Sequence, residues 1–369
     1  MRNTKENTRR AAVRKEAKLA LLIAAHNEEL VLRRTIQSAI EAGMKREHIY
    51  VVDDNSIDTT LKIAKSLIPA QNVLRVRRSG KGLALTKASK KFNLCTRYSW
   101  IHIADADGGF SPDYFRVFRR ELRVKYSAAT GYIRSLPGKR VSEYRVMEYT
   151  VGMEIHRRLQ VLLNVVPVIP GPSSCFRADI FERVNFANKS MVEDFDVTLQ
   201  LHRQKLGNIQ FIPEAIAYTQ DPRTTREYMK QITRWNRGTL QSIKRHGIGK
   251  KLSPIDIYLS QQIIQNLLFF ANYFIWVPYI YFWRQNESVI AAAFLVDVAV
   301  TFGIVLLSAM RTRRWDIVGA FPHIYILRWL SLGVFLKAFI EVIVLRKYGH
   351  EEHGSWDNNS SRRYVVSSP

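Results

Sequence analysis

The chain has 369 residues, of which 56 are basic and 32 acidic, for a net charge of +24. That length supports one large domain with an appendage, or two domains, and its two cysteines, Cys95 and Cys175, exclude a disulfide-built scaffold and offer no metal spacing. So basic a chain suits a polyanion, whether nucleic acid, an anionic membrane surface or a nucleotide substrate; apolar runs from Ile263 onward favour the last two.

Met1 to Lys18 is basic and lacks an apolar core, which fits a tail on anionic lipid and not a signal peptide. Leu19 to Ile23 is a short apolar run, read as a buried strand. Glu28 to Ala42 has helical spacing through Leu30, Leu32, Ile36 and Ile40. Ile49 to Val52 predicts a second strand, ending at Asp53-Asp54-Asn55. Asp58 or Thr59 can cap a helix running to Leu67. Val73 to Val76 predicts a third strand, Lys81 to Phe92 a helix, and Trp100 to Ala104 a fourth strand that ends at Asp105-Ala106-Asp107. Ala128 to Ile133 and Cys175 to Arg177 extend the sheet, and Ile209 to Ile212 adds a strand. Arg145 to Val165, Asp196 to Gln204 and Thr225 to Arg245 read as helices. Strands alternating with helices imply an α/β fold with a mostly parallel sheet. Ligands of such sheets bind beyond the carboxyl ends of the strands, where both acidic motifs stand.

Three apolar stretches follow: Ile263 to Trp283, Val289 to Met310 and Phe321 to Leu345. Each reaches the ~20 residues that a helix needs to cross a bilayer. Arg311 to Arg314, between the second and third, belongs on the cytoplasmic side, and the soluble domain with it. Three crossings put the C-terminal tail outside, against which Arg346 and Lys347 argue mildly. Asp297, Lys337 and Glu341 lie within these stretches. In an antiparallel arrangement Asp297 and Lys337 both sit about 12 Å deep. They are expected to pair, with Glu341 as the alternative partner.

The motifs also read as chemistry. Asp105 and Asp107 offer oxygen ligands of the kind that Mg²⁺ or Mn²⁺ shares with phosphates; the plainer reading is a solvated turn beside Gly108-Gly109. Asp54 can hydrogen-bond a base or ribose, or simply cap a turn. Lys81, between Gly80 and Gly82 at a helix start, is placed to meet phosphate; alone, it is an ordinary surface lysine. Glu193-Asp194 offers a general base, although acids also favour a helix N-terminus. Gln231, Arg234 and Trp235 share one helical face; Lys230, Arg237 and Lys244 equally suit a purely interfacial helix.

In order, Asp54, Asp105-Ala106-Asp107, Glu193-Asp194 and Gln231-Ile232-Thr233-Arg234-Trp235 resemble the motif series of the family 2 glycosyltransferases, inverting enzymes with a GT-A domain. The series is most similar to that of membrane-integrated synthases of chitooligosaccharide, poly-N-acetylglucosamine, hyaluronan and cellulose. The resemblance covers residues 19–245 by motif and the rest by architecture. It implies that Asn27 and Glu28, within Ala25-His26-Asn27-Glu28, and Lys81 meet the nucleotide. Asp54 would hold the uracil, Asp105 and Asp107 the diphosphate with Mg²⁺ or Mn²⁺, the ion falling to Asp107. Gly171-Pro172 with Arg177 would form the acceptor-side segment, and Glu193 would stand with it. Asp194 would be the base. Gln231, Arg234 and Trp235 would gate the diphosphate and bind the acceptor. The chain departs from the pattern at Ala24-Ala25, where a proline is usual, and at Ser173-Ser174, where glycine is frequent.

The expectation is therefore a basic tail at 1–18, a GT-A domain (Rossmann-like, mostly parallel sheet) at 19–222, amphipathic interfacial helices at 223–260, a transmembrane region at 261–347 and a polar tail at 348–369. A multi-pass protein of the cell membrane, with its catalytic domain in the cytoplasm, would move a hexose or N-acetylhexosamine from a UDP-sugar to a growing β-linked glycan. The alternative acceptor is a polyprenyl phosphate or other lipid. Nucleic acid is not an expected partner; homo-oligomerisation is left open.

Overall fold

The computed structural model describes residues 17–347 apart from 137, 139–140, 188–189 and 285–286. Nearly all of both expected tails thus lies outside the described residues. Eight strands form one sheet: β1 (Leu19–Ala25), β2 (Ile49–Asp53), β3 (Val73–Arg75), β4 (Trp100–Asp105), β5 (Gly109–Phe110), β6 (Ala128–Ser135), β7 (Ser174–Arg177) and β8 (Ile209–Thr219). Their order is β3-β2-β1-β4-β7-β6-β8-β5. The first four run parallel. β7 is antiparallel to β4 and β6, β5 is antiparallel to β8, and β6 pairs β8 in parallel. The sheet is thus mixed: β1 to β4 are all parallel, and beyond them only β6 and β8 pair in parallel.

β1 and β2 are buried along their whole length, because apolar layers cover both faces. That is why the sequence shows continuous apolar runs there and not alternation. One layer includes α1 (Leu32–Glu41), α2 (Thr60–Leu67) and, after β5, α4 (Tyr114–Glu121); the other includes α3 (Lys81–Lys91). Register sets Ala24 beside Asp105 and Ala25 beside Asp53. Both acidic motifs therefore emerge level at one edge of the sheet.

Three helices carry the rest of the site. α5 comprises Val141–Val151, a π turn Gly152–His156 and Arg157–Leu162; α6 is Glu193–Arg203; α7 is Thr225–Arg245. Thr224 caps α7 by accepting from Glu227 N at 3.2 Å, and the Glu227 carboxylate reaches back to Arg223 N at 2.9 Å.

The apolar tail begins with α8 (Pro254–Ala271), which continues through π turns at Asn272–Trp276 and Ile280–Arg284 around Pro278. Such bulges accommodate a proline, which has no N–H for the helical ladder. α9 is Glu287–Thr312, and α10 is Phe321–Phe339, prolonged by Ile340–Val344. Among the described residues two rods are long and apolar enough to cross a membrane, Pro254–Trp283 with 30 residues and Glu287–Thr312 with 26. The third expected crossing is not of this kind. α10 lies along α7 instead: Tyr228 and Ser331 hydroxyls bond at 2.6 Å, Arg237 meets Glu341 at 2.6 Å, and Leu240 packs against Ala338 and Val342.

This docking overturns the expected Asp297–Lys337 pair. Asp297 is held in a fork by Arg328, at 2.7 and 2.9 Å, and accepts from Tyr325 Oη at 2.7 Å. Arg328 also donates to Thr301 Oγ1 at 2.7 Å and lies 4.8 Å from the Phe269 ring, so α8, α9 and α10 share one cation. Glu341 is taken by Arg237, and Lys337 is exposed. The depth argument assumed that α10 crosses antiparallel to α9; its docking on α7 brings residue 328, not 337, opposite Asp297. A guanidinium also satisfies both carboxylate oxygens, as an ammonium cannot. Arg328→Leu is expected to cost on the order of 2 kcal/mol by stranding Asp297, while Lys337→Leu stays within about 0.5 kcal/mol of wild type. Thermal unfolding of the detergent-solubilised protein checks this; equal losses would refute the network.

Candidate active site

A cavity of about 1280 Å³ opens at the sheet edge, lined from β1, β4, α3, α5, α6 and α7. At its centre Lys81 Nζ contacts Asp105 Oδ1 at 2.7 Å and Glu193 Oε1 at 2.6 Å. The three groups come from α3, the end of β4 and the start of α6. Burial favours the neutral amine, but the two carboxylates outweigh it and hold Lys81 protonated, above the usual lysine range.

The approach depends on two glycines. A Cβ on Gly171 would sit 2.9 Å from Asp105 Oδ2 and 3.1 Å from Lys81 Nζ. A Cβ on Gly82 would fall 1.8 Å from the Phe186 carbonyl oxygen. Neither position admits a side chain without moving the ion pair or the backbone behind it.

Glu193 and Asp194 are neighbours with opposite behaviour. Burial works against the charge on Glu193, but Lys81 keeps its pKa below the ordinary value. Burial raises Asp194, the negative charge of Glu193 adds to it, and the group is pushed up to about 6. One oxygen of Asp194 accepts from Phe195 N at 2.8 Å. Two adjacent carboxylates with separated pKa values suit separate jobs.

Asn27 and Glu28 follow β1 on the cavity wall. Asn27 takes a left-handed conformation, φ +55°. It accepts from Ile57 N at 2.9 Å through its side chain, and its own N–H donates to Ser56 Oγ at 3.0 Å. Glu28 N donates to Thr60 Oγ1 at 2.7 Å. These bonds lock the two turns after β1 and β2 together. Asp107 also faces the cavity. Among the described residues no three His, Cys, Asp or Glu side chains cluster as a self-sufficient metal site. The carboxylate of Asp107 fits a divalent ion that draws its remaining oxygens from a diphosphate.

Two expected site residues stand elsewhere. Asp54 is fully buried behind the cavity wall. It accepts from Ser79 N at 2.8 Å, Ser79 Oγ at 3.1 Å and Gly80 N at 2.8 Å. It thereby fixes the loop that presents Lys81. Arg177 is on the outer surface, forked onto Asp179 at 2.6 and 2.8 Å and bonded to the Val124 carbonyl at 2.6 Å. It does not line the cavity, whereas Gly171 and Pro172 of the same expected segment do.

Gln231, Arg234 and Trp235 line the opposite wall. Arg234 donates to the Met191 carbonyl at 2.9 Å, beside the Glu193 loop. The group that organises this face is Arg145, on α5, which motif reading missed. It is 3% exposed. It donates to Gln231 Oε1 at 2.6 Å and Glu148 Oε2 at 2.8 Å, and its guanidinium lies 4.7 Å from the Trp235 ring and 4.8 Å from the Tyr228 ring. Asp221, also missed, lies on the same wall and is pushed up to about 7 by burial, which the nearby Arg145 charge only partly offsets. Neither residue belongs to a short motif; only a polar residue inside an aromatic helix (Tyr144 to Tyr149) hinted at Arg145.

Comparison with known proteins agrees with this geometry. Residues 20–184 match the family described as Glycosyl transferase family 2. The "Probable glycosyltransferase YdaM" of Bacillus subtilis is 25% identical over 288 residues, covering 70% of this chain and 63% of that protein. The poly-beta-1,6-N-acetyl-D-glucosamine synthase of Staphylococcus epidermidis is 22% identical, covering 94% of this chain and 88% of its own length. The fold is shared with a mannosyltransferase of Pyrobaculum calidifontis, solved with GDP-Man and Mn²⁺, at a TM-score of 0.55 and 14% identity, over 90% of this chain and 89% of that one. With the acidic strand ends, the Lys81 bridge and the Gln231 to Trp235 wall in one cavity, the chain is similar to family 2 glycosyltransferases, whose family model matches residues 20–184, and has a fold of the GT-A kind.

Proposed function

We propose that the protein is an inverting glycosyltransferase that moves a hexose or N-acetylhexosamine from a UDP-sugar to a growing β-linked glycan at the membrane. One observation carries the reading: Lys81 joins Asp105 to Glu193 in a cavity that also holds Asp107, Asp194 and the Gln231 to Trp235 face. Lys81 and Asp105 orient the diphosphate. Asp107 would hold a divalent ion, Mg²⁺ or Mn²⁺, whose charge offsets that of the departing diphosphate. Asp194 removes the proton of the acceptor hydroxyl as its oxygen attacks the anomeric carbon. The bond from that carbon to the diphosphate oxygen breaks on the opposite face, so the configuration inverts. Gln231, Arg234 and Trp235 hold the acceptor, Trp235 by stacking on a sugar ring.

A lipid acceptor is the second reading. It is favoured by the two candidate crossings, because two helices cannot enclose a pore for a polymer. Two crossings also return Arg346 and Lys347 to the catalytic side, where basic residues are expected.

Incubating the purified protein with UDP- and GDP-sugars and Mn²⁺, followed by product sizing, tests the donor and acceptor together. A ladder of products from a UDP-sugar supports the first reading; a single addition to a lipid supports the second. Turnover with GDP-sugars alone would overturn the donor assignment.

Asp194→Asn abolishes transfer and leaves nucleotide binding intact. The native pKa of Asp194 lies above its unfolded value, so ionising it costs stability as pH rises from about 4 to about 6. Asp194→Asn should therefore also melt higher than wild type at pH 7. In wild type, kcat/KM should fall tenfold per pH unit below about 6, not below the ~4 of an ordinary aspartate. The limb must persist in Asp221→Asn, which removes the other raised carboxyl of the wall.

Arg145→Lys keeps the charge but loses the fork and the stacking surface. It is expected to lower kcat by about 100-fold through misplacement of Gln231 and Trp235, with nucleotide affinity nearly unchanged. An unaltered kcat would show that the Gln231 to Trp235 face positions itself.

A further inference from the structure

The second half of α5 is built inside out. Arg157 and Gln160 are buried, at 4% and 8% exposure. Ile155, Leu159, Leu162 and Leu163 stand out from it, at 43%, 52%, 79% and 61%. Helical spacing puts these four on one side, with Arg158 at its margin. The inward polar groups have partners within the protein: Arg157 donates through a terminal nitrogen to the Val168 carbonyl at 2.7 Å, although its buried Nε makes no hydrogen bond among the described residues, and Gln160 Nε2 donates to Tyr258 Oη at 2.7 Å. A helix face that turns its polar side inward and its leucines outward is stable where the outer solvent is not water.

Its surroundings say which solvent. Tyr258 belongs to the first turns of α8, where the first candidate crossing starts. On its other flank, α5 meets the end of the second candidate crossing. A groove of about 310 Å³ there is lined by Glu154, Ile155 and Arg158 of α5 and by Leu307 and Arg311 of α9. The start of one crossing and the end of the next lie on the same side of a membrane. The helix segment that carries the exposed leucines thus adjoins both points where the chain would enter and leave the bilayer, through Gln160 at one and Ile155 and Arg158 at the other. Arg311, and Arg158 whose guanidinium also meets Glu154 at 3.5 Å, add positive charge at that level, in a chain of net charge +24.

We propose that the Ile155 to Leu163 face of the catalytic unit is seated in the cytoplasmic leaflet, with anionic lipid headgroups at the groove rimmed by Arg158 and Arg311. This gives α5 two solvents. Tyr149, Met153 and Arg157, on successive turns, line the active cavity, while Ile155, Leu159 and Leu162 contact acyl chains. The catalytic cavity is then held at a fixed height above the lipid by a third attachment, independent of the two crossings. The inference rests on reading α8 and α9 as crossings.

The test places a single nitroxide on the full chain, in a Cys95→Ser, Cys175→Ala background, reconstituted in nanodiscs of phosphatidylcholine and phosphatidylglycerol. Leu162→Cys reports on the face, Val296→Cys on α9, and Arg120→Cys on the far side of the domain. Power-saturation spectroscopy compares collisions with oxygen and with a water-soluble nickel chelate. The proposal expects position 162 to favour oxygen, less strongly than 296, with 120 favouring the chelate. If 162 behaves like 120 while 296 stays lipid-like, the face is in water and the proposal fails although the crossings stand. Shielding of 162 from both reagents would mean that protein, such as a second copy, covers the face, and also overturns it. A water-like 296 would remove the crossings themselves. In discs of phosphatidylcholine alone, 162 should become shallower; an unchanged depth would refute the headgroup role of Arg158 and Arg311.

Discussion

The site depends on one largely buried cation. Asp105 comes from a different part of the chain than the adjacent Glu193 and Asp194, and no three carboxylates stay close in a poorly hydrated space without a positive charge between them. Lys81 supplies it, touching two of the three. Its consequences spread outward. Glu193 remains ionised because Lys81 is beside it, and Asp194, which gains less from the lysine, bears the repulsion of Glu193 and the cost of burial. The separation that suits Asp194 to basic catalysis is thus a by-product of where the lysine sits. The lysine in turn sits there because Asp54 pins Ser79 and Gly80, and because Gly82 and Gly171 present no side chain to the backbone and ion pair they approach.

A second constraint joins this centre to the apolar tail. Arg145 links Gln231 and Trp235 to α5, and the residues around it share a core with α9 and α10, through Tyr144, Met147, Tyr228, Ile232, Val305 and Leu327. α10, docked along α7, adds the Arg237–Glu341 pair. The Gln231 to Trp235 wall, proposed to hold the acceptor, is therefore anchored to the helices that would meet the membrane, while the wall proposed for the donor is anchored to the sheet. Motion of one relative to the other would alter the gap in which transfer takes place.

The half of the fold that shapes the donor site was legible because its signals are local. Leu19 to Ile23 and Ile49 to Val52 are continuous apolar runs, Trp100 to Ala104 is one broken only by His102, and each is a strand core in the structure. Thr225 to Arg245 has a capping signal at one end and a basic last turn at the other, and its bounds agree with the helix observed. What remained hidden depends on long-range packing. Nothing near Phe321 says that α10 lies on α7, so the depth argument chose Lys337 over Arg328. Nothing near Arg177 says that β7 reverses against β4 and turns that side chain outward. Arg145 and Asp221 carry no motif; Arg145 matters because 86 residues of separation close to one hydrogen bond with Gln231, and Asp221 because folding buries it on the cavity wall. Asp54 was placed in the right motif, but its carboxylate faces the protein's own loop.

The assembly around Lys81 is tested most directly by a structure of the protein with UDP and Mn²⁺. The diphosphate should lie against Lys81 with the ion on the Asp107 carboxylate, and Asp194 should face the open side where an acceptor hydroxyl would stand. A nucleotide seated away from Lys81, or an ion held without Asp107, would contradict the division of labour drawn here.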